Sequence, residues 1–431
     1  MKKLITTITF ATAVFFVGNT QQSCNEGRYD EEVFTDLEVT SDIKYGNNDR
    51  FNGDNIDLLV DVYEPSGDTK EDRPLIIFMH GGTFIAGNKT NDDVKPLAER
   101  FAKKGYVTAS ISYRIGMANT ISISGPSDSD AAEAVLRATQ DARAAVRFFR
   151  KSVAEEGNPY GINPEEIYLV GASAGGFMAL HLAYLTDEED IPAIIDQTQP
   201  GLGGGVDGLS GNPGYSSDVK AIVNLAGALG DVEWMKADAT PVLSLHGSED
   251  NTVPFDTDWI SVLVFSEIIE VDGSETIHKK AEELGIKHCF KPFWGAGHVP
   301  HVGNESYTDT TELYIREFLL TFVCDTEVEC PCETDEDPSS CYNYGTLSTN
   351  DVITASDFTI YPNPVVDELT IDYNGTISSI VVYDTQGKVV IQEKKQDTYS
   401  TSLNSNRLEK GVYFIKIQTD KGIGTTKFIK E

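Results

Sequence analysis

The sequence predicts an α/β fold, a mostly parallel sheet covered on both faces, followed by a small all-β unit. Short apolar runs such as Leu75-Ile76-Ile77-Phe78-Met79 are continuous rather than alternating, as in strands buried on both faces. These runs take turns with stretches long enough for helices, and regular strand-helix alternation calls for crossover connections between parallel strands. After residue 357 the helical pattern stops, and only short β-branched and aromatic runs remain between turn residues.

The 431 residues can bury one large core and a smaller one. Lys2-Lys3, an apolar stretch from Leu4 to Val17 and the polar run Gly18-Asn19-Thr20-Gln21-Gln22 have the layout of a signal peptide, so residues 1–22 are set aside. A lipid anchor at Cys24 is disfavoured, because Gln21-Gln22-Ser23 is a poor match to the small apolar residues expected before it. The net charge of −34 argues against nucleic acid or an anionic membrane as a partner, since both select clustered Lys and Arg.

A strand-like opening over 33–45 leads to residues 56–63, whose alternation suits a sheet edge with one wet face. The buried strand 75–79 ends in His80-Gly81-Gly82-Thr83-Phe84. A helix over 93–104, a strand over 106–111, a helix over 130–155, a strand over 167–170 and a helix over 175–185 follow. Residues 187–218, with an acidic cluster and Gly201-Leu202-Gly203-Gly204-Gly205, form a long loop. Strands return over 219–225 and 241–245. The strongly apolar residues 259–271 are expected to pack a helix into the core, with the wall of an acyl pocket as the alternative. A helix over 274–284, a strand over 286–293 and a helix over 311–322 complete a domain spanning 23–323.

Six cysteines fit export, and Cys324, Cys330, Cys332 and Cys341 crowd one segment. Cys330 and Cys332 are too close to bridge each other easily, so disulfides run outward from that pair; zinc is disfavoured because two Cys-x-x-Cys pairs are missing. From Cys324 to Cys341 there are seven acidic residues and no basic one, so residues 324–356 read as an acidic linker. Residues 357–431 form a β-sandwich with strands near 369–371, 380–383, 388–391, 412–417 and 426–429.

The chemistry sits where the 167–170 strand meets its helix, at Gly171-Ala172-Ser173-Ala174-Gly175. A Gly-x-Ser-x-Gly turn in that context holds the serine hydroxyl exposed above the sheet, and the helix behind it aims N–H groups and the positive end of its dipole at an oxyanion. Such a serine needs an imidazole to take its proton and a carboxylate to fix the imidazole's tautomer. Asp250, just past a strand in His246-Gly247-Ser248-Glu249-Asp250, and His298, in the loop Gly295-Ala296-Gly297-His298, supply both in the order nucleophile, acid, base. Glu249 and His301 are the rivals for these roles, and His246 reads as a structural ring near the site. The expected oxyanion donors are the N–H groups of Gly82, Thr83 and Ala174, with Gly81 shaping the turn. No cofactor and no metal are called for.

Through these motifs and Ser112-Tyr113-Arg114, residues from about 50 to 322 resemble an α/β-hydrolase of the carboxylesterase and lipase type. The resemblance implies hydrolysis of carboxylic esters through an acyl-enzyme. Thr83 stands where a third glycine is commoner. Feruloyl and acetyl esterases of plant polysaccharides, short-chain lipases and polyester depolymerases share the motifs, so the substrate stays open. A serine peptidase of the same fold and an exported binding protein with a silent site are the competing readings.

The tail carries Tyr361-Pro362-Asn363-Pro364, Tyr383-Asp384-Thr385-Gln386-Gly387-Lys388, Gly411-Val412-Tyr413-Phe414 and Lys427-Phe428-Ile429-Lys430. Over nearly its whole length it resembles the Ig-like C-terminal sorting domain of type IX secretion. That resemblance implies the type IX machinery as a partner and a secreted or surface-attached protein.

Overall fold

Residue 24 and residues 27–122, 124–262, 265–326, 358–383, 389–408, 410–419 and 422–431 are described by the computed structural model. The expected signal peptide at 1–22 lies outside them, as does the linker beyond residue 326 with Cys330, Cys332 and Cys341. Two units divide the chain, Met1–Gly345 and Thr346–Glu431.

The first unit holds strands β1 (Leu37–Asp49), β2 (Asn55–Pro65), β3 (Arg73–Met79), β4 (Val107–Ile111), β5 (Ile162–Ala172), β6 (Ala221–Leu225), β7 (Val242–Gly247), β8 (Thr257–Val262), β9 (Phe265–Asp272) and β10 (His288–Phe293). Eight of them form one sheet in the order β1-β2-β4-β3-β5-β6-β7-β10. Pairing is antiparallel from β1 to β4 and parallel from β4 to β10. The alternating segment expected at an edge, β2, sits one strand in; β1 covers it, and only its first half keeps an exposed face.

Helices α1 (Lys95–Lys103), α2 (Asp128–Glu155), α3 (Ala174–Tyr184), α4 (Ser274–Leu284) and α5 (Glu305–Val323) cover the sheet. Two apolar cores result. Leu75, Ile77 and Met79 of β3 pack with Leu136, Phe149, Phe177 and Ile277 from α2, α3 and α4. Ile76 and Phe78 pack with Leu97 and Phe101 of α1 and with Tyr314, Ile315 and Phe318 of α5. Every residue of β3 is buried, and each large apolar side chain so placed contributes about 1.5–3 kcal/mol, which fixes β3 as the axis of the sheet. Local signals set the helix ends. Ser127 and Asp130 form a reciprocal capping box at the start of α2, and Gly285 ends α4 at φ 68°.

A disulfide joins Cys24 to Cys324 at the end of α5, with Cα atoms 5.9 Å apart. Within 259–271 the described residues belong to the antiparallel pair β8–β9 rather than to a helix. Trp259, Ile260, Val262, Phe265 and Val271 are aromatic or β-branched, types that favour strands, so strand propensity decided what a strongly apolar stretch left ambiguous.

The second unit is all-β, consistent with an Ig-like sandwich. Strands β11 (Phe358–Tyr361), β12 (Glu368–Tyr383), β13 (Val389–Asn404), β14 (Gly411–Thr419) and β15 (Gly422–Lys430) pair antiparallel throughout. Leu369, Ile371, Ile380, Val382, Ile415, Ile417 and Phe428 build its core. The strands expected near 369–371 and 380–383 are one long strand, β12, whose register shifts between Asp372 and Ile377.

Candidate active site

β5 is central in the sheet and runs straight into α3, with Ser173 as the single residue between them. Its backbone, at φ 52° and ψ −115°, lies where L-residues are strained, a conformation that costs about 1–3 kcal/mol and is held by what surrounds it. Ser173 N–H donates to Leu225 O of β6 at 2.7 Å. The flanking glycines are forced by space: a Cβ on Gly171 would lie 1.9 Å from Gly175 O, and one on Gly175 would lie 1.9 Å from Met79 O.

Three loops at the C-terminal ends of β5, β7 and β10 converge here. His298 Nδ1 is 2.6 Å from Asp250 Oδ2, and His298 Nε2 is 2.8 Å from Ser173 Oγ. Because a carboxylate only accepts, Nδ1 carries the proton, and Nε2 is left to accept from the serine hydroxyl. Asp250 is gripped on both oxygens. Thr252 and Val253 donate their N–H groups to Oδ1 at 2.8 and 3.0 Å, while His246 Nε2 joins His298 on Oδ2 at 3.1 Å. Burial pushes the Asp250 carboxyl up, but hydrogen bonds from His246 and His298, the charge of His298 and the Val253 N–H together hold it well below the usual carboxylate range.

The rivals have other surroundings. Glu249 is exposed. His301 donates from Nε2 to the Asp93 carbonyl at 3.0 Å, and burial lowers its basicity. His246 is not a bystander, since it shares Oδ2 of Asp250 with His298.

Gly82, Thr83 and Phe84 sit at successive positive φ of 120°, 55° and 59°. A β-branched residue at positive φ is costly, and here it places Thr83 on the wall beside Ser173 and Ala174. Gly82 lies off that wall and closes the turn, its carbonyl accepting from Ile85 and Ala86 N–H. Among the described residues the N–H groups of Gly82 and Thr83 donate to no acceptor, and Ala174, first in α3, has no intrahelical acceptor for its own. Gly81 N–H is taken by Asp93 Oδ2 at 2.7 Å. His80 anchors the loop: Nδ1–H donates to Gly81 O at 2.6 Å, Tyr113 stacks on the ring, and burial pushes its pKa down to about 4. Asp93, Ser274 and Asn224 carry no motif, so the sequence alone does not single them out.

Ser173 opens into a cavity of about 560 Å³ walled by Phe84, Met117, Phe177, Trp234, Val253 and Val271. Glu189, Asp190, Asp231 and Glu270 also line it, and among the described residues no Lys or Arg does. The β8–β9 hairpin forms one wall through Ile260 and Ile269, the alternative weighed for this stretch.

Residues 60–230 match the BD-FAE family, and residues 359–431 match the secretion system C-terminal sorting domain. Esterase-5B of Drosophila persimilis is 28% identical over 141 residues, covering 32% of this chain and 23% of its own length. Carboxylesterase 3B of Mus musculus is 29% identical over 126 residues, covering 29% of this chain and 20% of its own. The chain thus spans about a quarter or less of these curated relatives. The structure of Thermogutta terrifontis esterase 2 phosphoramylated by tabun aligns with a TM-score of 0.46 and 23% identity, over 67% of this chain and 95% of its own. The chain therefore joins an α/β-hydrolase domain of the BD-FAE and carboxylesterase kind to a type IX secretion sorting domain, which marks it for export to the cell surface or beyond.

Proposed function

We propose that this chain is an exported serine hydrolase of carboxylic esters. Ser173 Oγ bonds to the ester carbonyl carbon as its proton passes to His298 Nε2. Asp250 holds the imidazole in register and stabilises the imidazolium. N–H groups of Gly82, Thr83 and Ala174 receive the oxyanion. His298 then returns the proton to the leaving alkoxide, and water attacks the acyl-serine by the same route in reverse. The export signals bracket this machinery: residues 1–22 are removed on secretion, 23–323 form the catalytic domain, the acidic 324–356 segment is a linker, and 357–431 engage the type IX apparatus.

The observation that supports this most strongly is the unbroken line Asp250–His298–Ser173, at 2.6 and 2.8 Å, ending on a serine in strained backbone. The largely apolar cavity beside it suits a neutral acyl group. The test is turnover of p-nitrophenyl acetate together with labelling by a fluorophosphonate. Wild-type protein should be labelled and active, Ser173→Ala neither; an active Ser173→Ala would end the proposal. Running peptide amides beside an ester panel separates the peptidase, and feruloylated or acetylated oligosaccharides, triglycerides and polyesters identify the ester class.

A further inference from the structure

The buried side of Asp250 leads through a chain of hydrogen bonds whose directions can be worked out. His246 on β7 is wholly buried, and its Nε2 faces two groups that only accept, Asp250 Oδ2 at 3.1 Å and the Val253 carbonyl at 3.2 Å. Nε2 therefore carries a proton. On the other side of the ring, Nδ1 lies 2.7 Å from Ser274 Oγ, at the start of α4.

Which of that pair donates is set one step further back. Gly227 N–H can only donate, and it binds Asn224 Oδ1 at 2.8 Å, so the other end of the Asn224 side chain is its NH2. That NH2 lies 3.0 Å from Ser274 Oγ. The serine oxygen accepts from Asn224, and Ser274 is wholly buried, so its own hydrogen needs an acceptor; among the described residues His246 Nδ1 is the one in reach, and the hydroxyl donates to it. Donation then runs one way, from Gly227 to Asn224, and from Asn224 through Ser274 and His246 to Asp250.

We propose that His246 is a positioning residue for Asp250, locked by Asn224 and Ser274 as the neutral tautomer that donates from Nε2 and holds Oδ2 in place for His298. Neutrality matters. A cationic ring behind Asp250 would compete for the carboxylate with the imidazolium that forms at His298 during attack. A neutral donor satisfies the second lone pair of Oδ2 without that competition. The assignment rests on the reading of Ser173, His298 and Asp250 as the catalytic triad.

His246 does not line the cavity, so its effect should fall on kcat rather than KM. The other titratable groups facing His298, Asp93 and His301, stay in place in every variant. The experiment measures kcat, KM, the pH profile and thermal unfolding of the full chain on p-nitrophenyl acetate, for His246→Ala, His246→Gln, Ser274→Ala and Ser173→Ala. For His246→Ala, kcat should drop about 10- to 100-fold, the scale seen when a residue that orients a functional group from behind is removed. KM should stay within about twofold, and the acid limb of kcat/KM should move to higher pH, because a carboxylate short of one donor draws the imidazolium more strongly. His246→Gln, whose side-chain N–H reaches the place of Nε2, should recover part of kcat, and Ser274→Ala should fall between wild type and His246→Ala.

Wild-type kcat and an unmoved acid limb in His246→Ala would overturn the assignment. So would equal losses in His246→Ala, His246→Gln and Ser274→Ala that follow only a lowered Tm. Ser173→Ala keeps the two readings apart: if it turns over, the triad itself fails, whereas if it is dead and His246→Ala is normal, only the positioning role fails.

Discussion

His298 Nε2 stands 2.8 Å from the hydroxyl of Ser173, a residue 125 positions away in the chain. The two come from different loops, one after β5 and one after β10, and neither loop alone makes a site. The carboxylate that completes the line comes from a third loop, after β7.

Asp250→Asn should lower kcat by up to about 10⁴-fold, because an amide can present its NH2 to His298 and stabilise the wrong tautomer. Glu249→Gln, beside it in sequence but exposed, should stay within a few-fold of wild type. Steady-state kinetics on a short p-nitrophenyl ester decides; the reverse ranking would transfer the acid role to Glu249.

Gly230 lines the cavity, and a Cβ there would lie 2.7 Å from Trp234 Cη2 and 3.3 Å from His181 Nε2. Gly230→Val should therefore narrow the cavity and reduce kcat/KM for long acyl esters about 10- to 100-fold more than for acetate, the range that pocket contacts supply. An unchanged chain-length profile would mean that the acyl group lies elsewhere.

Glu312 on α5 binds Arg100 Nη1 at 2.6 Å and Lys104 Nζ at 2.9 Å, pinning that helix to the end of α1. Burial pushes its carboxyl up, but the hydrogen bonds and charges of Arg100 and Lys104 outweigh this and leave it lowered. A depressed folded pKa means the contribution is complete above the ordinary carboxyl value of 4.5 and fades as pH falls through the folded value. Glu312→Gln should be less stable than wild type by about 1–3 kcal/mol at pH 7, and the gap should narrow as pH falls below 4.5 through the lowered folded value. Thermal unfolding from pH 3 to 8 measures it; a constant gap would show that packing, not charge, makes the difference.

The Cys24–Cys324 disulfide spans 300 residues. In the chain-entropy account a loop that long stabilises by up to about 5 kcal/mol, so the double Cys→Ser variant should unfold at clearly lower guanidinium concentration. Equal midpoints for the two proteins would show that this disulfide adds nothing to the fold.

Much of the architecture was legible because its signals are local. The continuous run through β3 announced a strand covered on both faces, and Gly171 and Gly175 announced a turn with no room for side chains. Where local signals were ambiguous, the sequence reading failed. A strongly apolar stretch fits a buried helix as well as a strand, and the β8–β9 segment was misread for that reason. β2 looked like an edge because alternation reports one wet face, and β1 covers it only through pairing set elsewhere in the chain.

By itself the sequence determined the order of strands and helices outside β8 and β9, the elbow at Ser173, the presence of an acid and a histidine at later strand ends, and the β-rich sorting tail. Those are properties of neighbours in the chain, where spacing and side-chain type act directly. Only the tertiary structure decided that Asp93 takes the Gly81 N–H, that Asn224 and Ser274 aim His246 at Asp250, and that Gly230 leaves room beside Trp234. Each depends on side chains from separate elements meeting within a few ångströms, and no periodicity along one segment encodes what another segment brings to meet it.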